Sequence, residues 1–297
     1  MERPRRPTRI VLVRHGQSEG NLDEKKYCTT ADSKIRLTKS GLAQAEACGK
    51  SIRDIIEKTS QENDWQVYFY VSPYKRTLCT LKGIGRAFQK DRILGVREEP
   101  RLREQDFGNF QEETRMALVK DERIQFGRFF YRFPEGESGA DVFDRVTSFL
   151  ESLWRDIDTF RLNRSHYTDL NLVIISHGLT MRIFLMRWFK WTVEQFELLH
   201  NPKNCEIRVM QLGLGGEYSL AVHHSKKELE EWGLTPDMIT EQEWRAKANR
   251  GQWYRDWPWC CGSFFDHLKD SPPPDPDEYA SDDDHLNNLV VAVEDNN

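Results

Sequence analysis

The sequence predicts a three-layer α/β fold: a mostly parallel sheet with helices on both faces. Three observations predict it. Short β-branched runs alternate with stretches of helical periodicity from Arg9 to His223. The runs are apolar throughout rather than alternating, as strands covered on both faces must be. Arg-His, Ser-His and Ser-Pro groups follow three of those runs directly, at the strand ends where open α/β sheets bind ligands.

Each element has its own signal. Arg9 to Val13 is a short β-branched run and reads as a buried strand. Thr38 can cap a helix reaching Lys58, in which Leu42, Ala45, Cys48, Gly49, Ile52, Ile55 and Ile56 recur at helical spacing. Val67 to Val71 is the next strand. Pro73 suits the first turn of a helix running to about Phe88. Ile93 to Val96 is a third strand. Residues 109–134, aromatic and Arg-rich, read as an irregular insert. Ser138 to Asp156 reads as a helix with Val142, Phe143, Val146, Phe149, Leu150 and Leu153 on one face. Leu172 to Ile175 is a buried strand, Leu179 to Trp188 a helix, and Cys205 to Leu212 and Tyr218 to His223 late strands. Capping-box patterns at Ser225–Glu228 and Thr240–Glu243 predict two short helices beyond them.

This divides the 297 residues into a catalytic domain, 1–224, a Trp-rich helical appendage, 225–269, and an acidic, disordered tail, 270–297. Five of nine Trp lie between Trp232 and Trp259, to pack the appendage onto the body or to bind a protein partner. Nine acids and no Lys or Arg fall from Asp270 onward, behind a proline run. Residues 1–269 therefore carry 43 basic and 39 acidic side chains. A mildly basic body suits an anionic substrate.

Composition excludes several classes. No apolar stretch approaches the roughly 20 residues of a membrane span, and Met1 to Thr8 lacks the apolar run of a secretion signal. The six cysteines form no CxxC pair, so reduced thiols in a cytoplasmic protein are expected and the sequon at Asn163 is idle. No GxxxxGK[ST] motif and no basic patch point to a nucleotide-binding loop or to nucleic acid.

The chemistry sits at strand ends. Ile10 to Val13 runs into Arg14-His15-Gly16, and Leu172 to Ile175 into Ser176-His177-Gly178. If the two strands are neighbours, the imidazoles face each other. Ser72-Pro73-Tyr74-Lys75-Arg76 brings Arg76 to the same rim, on a helix start whose free N–H groups favour an anion. Leu102-Arg103-Glu104-Gln105-Asp106 adds carboxylates. Two Arg, two His and one Glu, without a thiol or carboxylate cluster, suit a phosphoryl group rather than a metal, so no cofactor is expected.

Arg14-His15-Gly16-Gln17-Ser18-Glu19-Gly20-Asn21 resembles the signature of the histidine phosphatase superfamily, in its phosphoglycerate mutase-like branch. The resemblance extends through Leu37-Thr38-x-x-Gly41, Ser72-Pro-x-x-Arg76-x-x-x-Thr80, Leu102-x-Glu104-x-x-x-Gly108 and Ser176-His177-Gly178, and covers roughly residues 9–222. The tail and the Leu102–Gln111 segment are similar to plant and fungal phosphoglycerate mutase-like proteins. The resemblance implies a phosphoglycerate mutase-like fold in which His15 attacks phosphorus and becomes a phosphohistidine. It implies that Arg14, Arg76 and His177 hold the equatorial oxygens, that Gly16, Ser18, Asn21 and Gly178 surround the substrate, and that Glu104 protonates the leaving alkoxide and then activates water. Asp106, two residues on, is a rival donor that spacing cannot separate. A nucleophilic His15 must be neutral, and flanking cations favour that form.

Mutases of that branch usually carry Arg directly after the acid and an Arg-Arg pair in the insert. Here Gln105 follows Glu104, and Arg115, Arg123, Arg128 and Arg132 stand singly. That favours hydrolysis of a small phosphorylated metabolite, with carbohydrate metabolism the expected setting. A mutase acting on a sugar-acid phosphate and a non-catalytic scaffold are the alternatives.

Overall fold

The computed structural model describes residues 6–60, 64–108, 113–159, 162 and 169–248. The chain divides into two units, Met1–Gly251 and Gln252–Asn297, and the described residues all belong to the first. The proline run, the acidic tail and Trp253 to Trp259 lie outside them.

Six strands, β1 (Arg9–Arg14), β2 (Trp65–Val71), β3 (Ile93–Glu98), β4 (Asp169–Ser176), β5 (Ile207–Leu212) and β6 (Tyr218–Ser219), form one sheet in the order β3-β2-β4-β1-β5-β6. The first four in that order are mutually parallel, and β5 and β6 run antiparallel at one edge. Side chains alternate across a strand, so each central strand feeds two cores. Ile10, Leu12, Leu172 and Ile174 join Val142, Val146, Phe149, Leu179 and Ile183 on one face. Val11, Val13, Val173 and Ile175 join Cys48, Ile52, Ile56 and Ile84 on the other. These runs are wholly apolar because helices cover both sides: α6 (Gly139–Asp158) and α7 (Gly178–Phe189) on the first, α3 (Lys39–Thr59) and α4 (Lys75–Gly85) on the second.

Short helices α1 (Glu19–Leu22) and α2 (Lys26–Thr29) follow β1, and α8 (Val193–Glu197) follows α7. Thr38 caps α3 by accepting from Gly41 N, although Leu42 on that helix proves exposed. Pro73 precedes α4 rather than opening it: Tyr74 is the N-cap, and the helix stops at Gly85. The insert is not irregular throughout. Glu113–Phe126 forms α5, burying Met116 and Val119 against Phe133. Leu118, Ile124 and Phe126 stay exposed, and this scatter of apolar residues around the helix erases its periodic signature. The last strand is shorter than expected, because turns replace it after Ser219 and His224 Nε2 accepts from Val209 N.

Ser225 caps α9 (Lys226–Glu231) with the expected box. The next helix, α10 (Pro236–Lys247), is capped by Thr235, while Thr240 lies inside it and bonds Pro236 O. The expected cap at Thr240 is therefore corrected to Thr235, because Pro236 suits the first helical position and starts the helix one turn earlier. Leu229, Trp232, Leu234, Met238 and Ile239 belong to the larger core, and Arg208 lies over Trp232 at 4.5 Å. Among the described residues no helix is long and apolar enough to cross a membrane.

Candidate active site

Strand register builds the site. Arg14 pairs with Ser176 across β1 and β4, and Val71 with Ile175 across β2 and β4, so His15, Ser72 and His177 emerge together at the carboxyl edge. His15 N donates to Ser176 O and Ser72 N to Ile175 O. The imidazoles of His15 and His177 stand edge to face with centroids 5.2 Å apart. A cavity of about 770 Å³ opens over this edge.

Gly16 is a close-approach position: a Cβ there would lie 2.5 Å from Gly41 O. Its N–H donates to Thr80 Oγ1, and its carbonyl lies 2.8 Å from His15 Nδ1. Arg76 Nε donates to His15 Nε2 at 3.2 Å. The proton of the neutral ring therefore sits on Nδ1 and the lone pair on Nε2. Burial, then the charges of Arg76 and Arg14, hold His15 well below the usual histidine range. Burial, Arg76 and His15 do the same to His177. Ser72 Oγ is 2.8 Å from His177 Nε2, while His177 Nδ1 is buried without a hydrogen-bond partner.

Arg76 is buried and clamped from behind by Asp32, whose backbone oxygen and Oδ1 accept from one terminal nitrogen at 2.7 and 2.6 Å. Burial opposes the Arg76 charge, but the Asp32 carboxylate more than offsets it and raises its pKa. Arg14 donates to Pro202 O, and its Nε is buried without a partner. Cys205, held at φ 56°, turns its N–H onto the carbonyls of Arg14 and His15.

Glu104 lies against the start of α7. Its carboxylate accepts from Leu179 N and Thr180 N at 3.3 Å and from Thr180 Oγ1 at 3.2 Å, which satisfies helix N–H groups that lack intrahelical partners. Its charge bears on both Arg14 and Arg76. Arg145 on α6 fixes the segment, donating to the carbonyls of Arg101, Arg103 and Glu104 while paired with Glu137. Asp106 is exposed, its Oδ1 accepting from Gly108 N.

Of the residues singled out from sequence, Arg14, His15, Asn21, Arg76 and Glu104 line the cavity, as does Asp106. Gly16, Ser18, His177 and Gly178 are buried behind it. Ser18 spends its hydroxyl on Asn21 Oδ1, which also accepts from Ser18 N and Asn204 Nδ2; the Asn21 amide NH₂ is what remains to face a ligand. Gly178 leaves room for Asn201, whose Oδ1 would lie 2.1 Å from an added Cβ. Thr80, which closes the Ser72-Pro-x-x-Arg76-x-x-x-Thr80 motif, accepts from Gly16 N. Asp32, Thr180, Arg145 and Cys205 escaped sequence reading, since each acts through a partner distant in the chain. Among the described residues no three His, Cys, Asp or Glu side chains are grouped to hold a metal ion.

Residues 10–225 match the profile of the histidine phosphatase superfamily (branch 1). The chain belongs to this superfamily. It is a phosphoryl-transfer enzyme of phosphoglycerate mutase-like type. It is 62% identical over 265 residues to phosphoglycerate mutase-like protein AT74 of Arabidopsis thaliana, covering 89% of this chain and 84% of that protein. It is 33% identical to the broad-range acid phosphatase DET1 of Saccharomyces cerevisiae, covering 70% of this chain and 86% of the yeast protein. A solved mycobacterial glucosyl-3-phosphoglycerate phosphatase shares the fold at 21% identity and a TM-score of 0.53, over 69% of this chain and 91% of that one. The layered sheet inferred from sequence is the superfamily's fold.

Proposed function

We propose that the protein is a metal-independent phosphomonoester hydrolase acting on a small phosphorylated metabolite through phosphorylated His15. The observation that carries this reading is the His15 ring, held neutral with Nδ1 against Gly16 O and Nε2 against Arg76. In the first step Nε2 attacks phosphorus, the P–O bond to the leaving group breaks, and the Glu104 carboxyl gives that oxygen its proton. In the second, the Glu104 carboxylate takes a proton from water, the oxygen attacks phosphorus, and the P–N bond breaks to release orthophosphate. Arg14, Arg76 and the unpartnered Nδ1 of His177 supply fixed donors for the equatorial oxygens, which is the charge-neutralising part metals play elsewhere. Glu104 is preferred to Asp106 as donor because its carboxyl is held against the first turn of α7, next to His177, whereas Asp106 is exposed and turned to Gly108 N.

Hydrolysis is favoured over mutase activity by the cavity's cations. Among the described residues, only Arg14, Arg76 and Lys120 of the Lys and Arg side chains line it, whereas the insert's Arg123 turns to Gln105 and Arg132 to Asp141. A mutase must retain a phosphorylated product, and among the described residues no second pair of cations lines this cavity for that task. The acid phosphatase relative supports hydrolysis too, and a nucleophile that stays neutral in mild acid is consistent with it.

Acid-quenched enzyme fed radiolabelled phosphomonoester should hold phosphate in an acid-labile, base-stable linkage. The label should be absent in His15→Ala, and turnover should be unchanged in excess EDTA. Labelling that survives His15→Ala, or activity lost to EDTA and restored by a divalent ion, overturns the reading.

A further inference from the structure

The cavity of about 770 Å³ is far larger than a phosphoryl group, so most of it receives the organic part of the substrate. Its charges are uneven. Of the lining cations, Arg76 is paired with Asp32, and Lys120 with Glu24 at 2.6 Å. Arg14 is left for the phosphoryl group beside His15. Asp106 and Glu135 also line the cavity, and among the described residues neither is paired with a cation. Beside these two carboxylates the wall is apolar, made by Phe107, Met116 and Phe133. Such a wall offers no counter-charge, so the field of the carboxylates reaches into the cavity.

We infer that the site takes monophosphates whose organic part is uncharged or cationic, and that Asp106 and Glu135 reject substrates carrying a second anionic group. Asp106 comes from the segment that follows Glu104. Glu135 sits at φ 58°, a left-handed position in the loop between α5 and α6, and that loop packs directly on the Asp106 segment: Glu137 N donates to Asp106 O, so both carboxylates come from one stretch of the wall. A carboxylate on the substrate would meet both. A like charge about 8–10 Å away, at an effective dielectric near 20, weakens binding roughly ten- to thirtyfold. The inference rests on the phosphohistidine hydrolase reading, and names the substrates of that same site.

The test uses the full-length protein and a near-isosteric pair, glycerol 3-phosphate and 3-phosphoglycerate, which differ in a hydroxymethyl against a carboxylate. Expected is a kcat/KM at least about tenfold higher for glycerol 3-phosphate at low salt, shrinking as ionic strength rises. Glu135→Gln should narrow the ratio and Glu135→Lys narrow it further. Because the ratio is measured within one variant, any partial loss of folded protein cancels. Equal rates on the two substrates overturn the inference. A ratio that neither Glu135 variant moves overturns the assignment to the mouth carboxylates. Nitrophenyl phosphate separates the two levels: if it is hydrolysed through a labelled His15 without any charge preference, only this inference fails. If it is neither hydrolysed nor able to label the protein, the hydrolase reading fails.

Discussion

The floor and the mouth of the cavity are built on different principles. The floor, His15 and Arg76, and the residues that back it, Ser72, His177 and Thr80, are buried; His15, Ser72 and His177 are fixed by main-chain register at the ends of three neighbouring strands, Arg76 and Thr80 by α4. The mouth, Lys120, Asp106 and Glu135, is exposed or partly so and hangs on an insert helix and two loops. On the floor, moving the backbone that carries His15 or His177 would break sheet pairing. At the mouth it exchanges partners with solvent at little cost. Chemistry is thereby insulated from changes in specificity: the loops can vary while the strands hold the nucleophile.

The largest expected effect short of removing the nucleophile tests the boundary between the two regions. Glu104→Gln should lose roughly 10²–10⁴-fold in kcat on alkyl phosphates, whose leaving oxygen needs a proton, and much less on nitrophenyl phosphate. Asp106→Asn should show no such dependence on the leaving group. If Asp106→Asn shows it and Glu104→Gln does not, the proton donor belongs to the mouth rather than the floor.

Arg145 ranks second. It does not line the cavity, yet its guanidinium bonds Arg101 O at 2.6 Å, Arg103 O at 2.9 Å and Glu104 O at 3.1 Å. Arg145→Met should lower kcat about ten- to a hundredfold, because small misplacements of catalytic groups are costly. KM should stay within threefold, and the loss should fall on alkyl phosphates as it does for Glu104→Gln. A rise in KM at unchanged kcat would show that Arg145 serves binding instead.

These residues also mark where sequence reading ran out. The floor was legible because its signals are local: apolar runs ending in Arg14-His15-Gly16 and Ser176-His177-Gly178 state both the strand and its terminus. Only the adjacency of β1 and β4 had to be assumed. Arg145 looked like any polar face of an amphipathic helix, since its three acceptors lie more than 40 residues away. Asp32 sat in a polar stretch without periodicity, and its role appears only when Arg76 arrives from α4. The helix α5 hid because tertiary contacts at Met116 and Val119, not amphipathic spacing, hold it.

The buried floor should also be felt in stability against acid. His15 and His177 are held well below the ordinary histidine range, and burial, then His223, lowers His224 to about 4. A histidine depressed in the folded protein stays neutral there while the unfolded chain takes up a proton near pH 6.5. Its contribution is therefore complete above that pH and is lost as pH falls toward the folded value. Asp141 and Glu99, also depressed, act only below the ordinary carboxylate range, and Asp32, raised by burial, works in the opposite sense as pH falls, so the loss of stability from pH 6.5 to about 5 is carried by the histidines. The melting temperature should fall by several degrees across it. His15→Asn and His177→Asn should each flatten the slope. A slope unchanged in both variants would mean that the two rings are solvated in solution.

The smallest effect is expected at the mouth. Lys120 is 37% exposed and paired with Glu24, itself 64% exposed. Exposed pairs of this kind contribute about 0.2–1 kcal/mol, equivalent to at most about fivefold in an equilibrium constant. If the phosphoryl group is held by the floor alone, Lys120→Met should change KM for a neutral monophosphate by no more than roughly threefold and leave kcat as it was. Removing this cation also makes the mouth more negative, so 3-phosphoglycerate should suffer more than glycerol 3-phosphate. Equal losses above tenfold on both substrates would instead make Lys120 a phosphate ligand. The division between a rigid catalytic floor and an exchangeable mouth would then have to be redrawn to include α5.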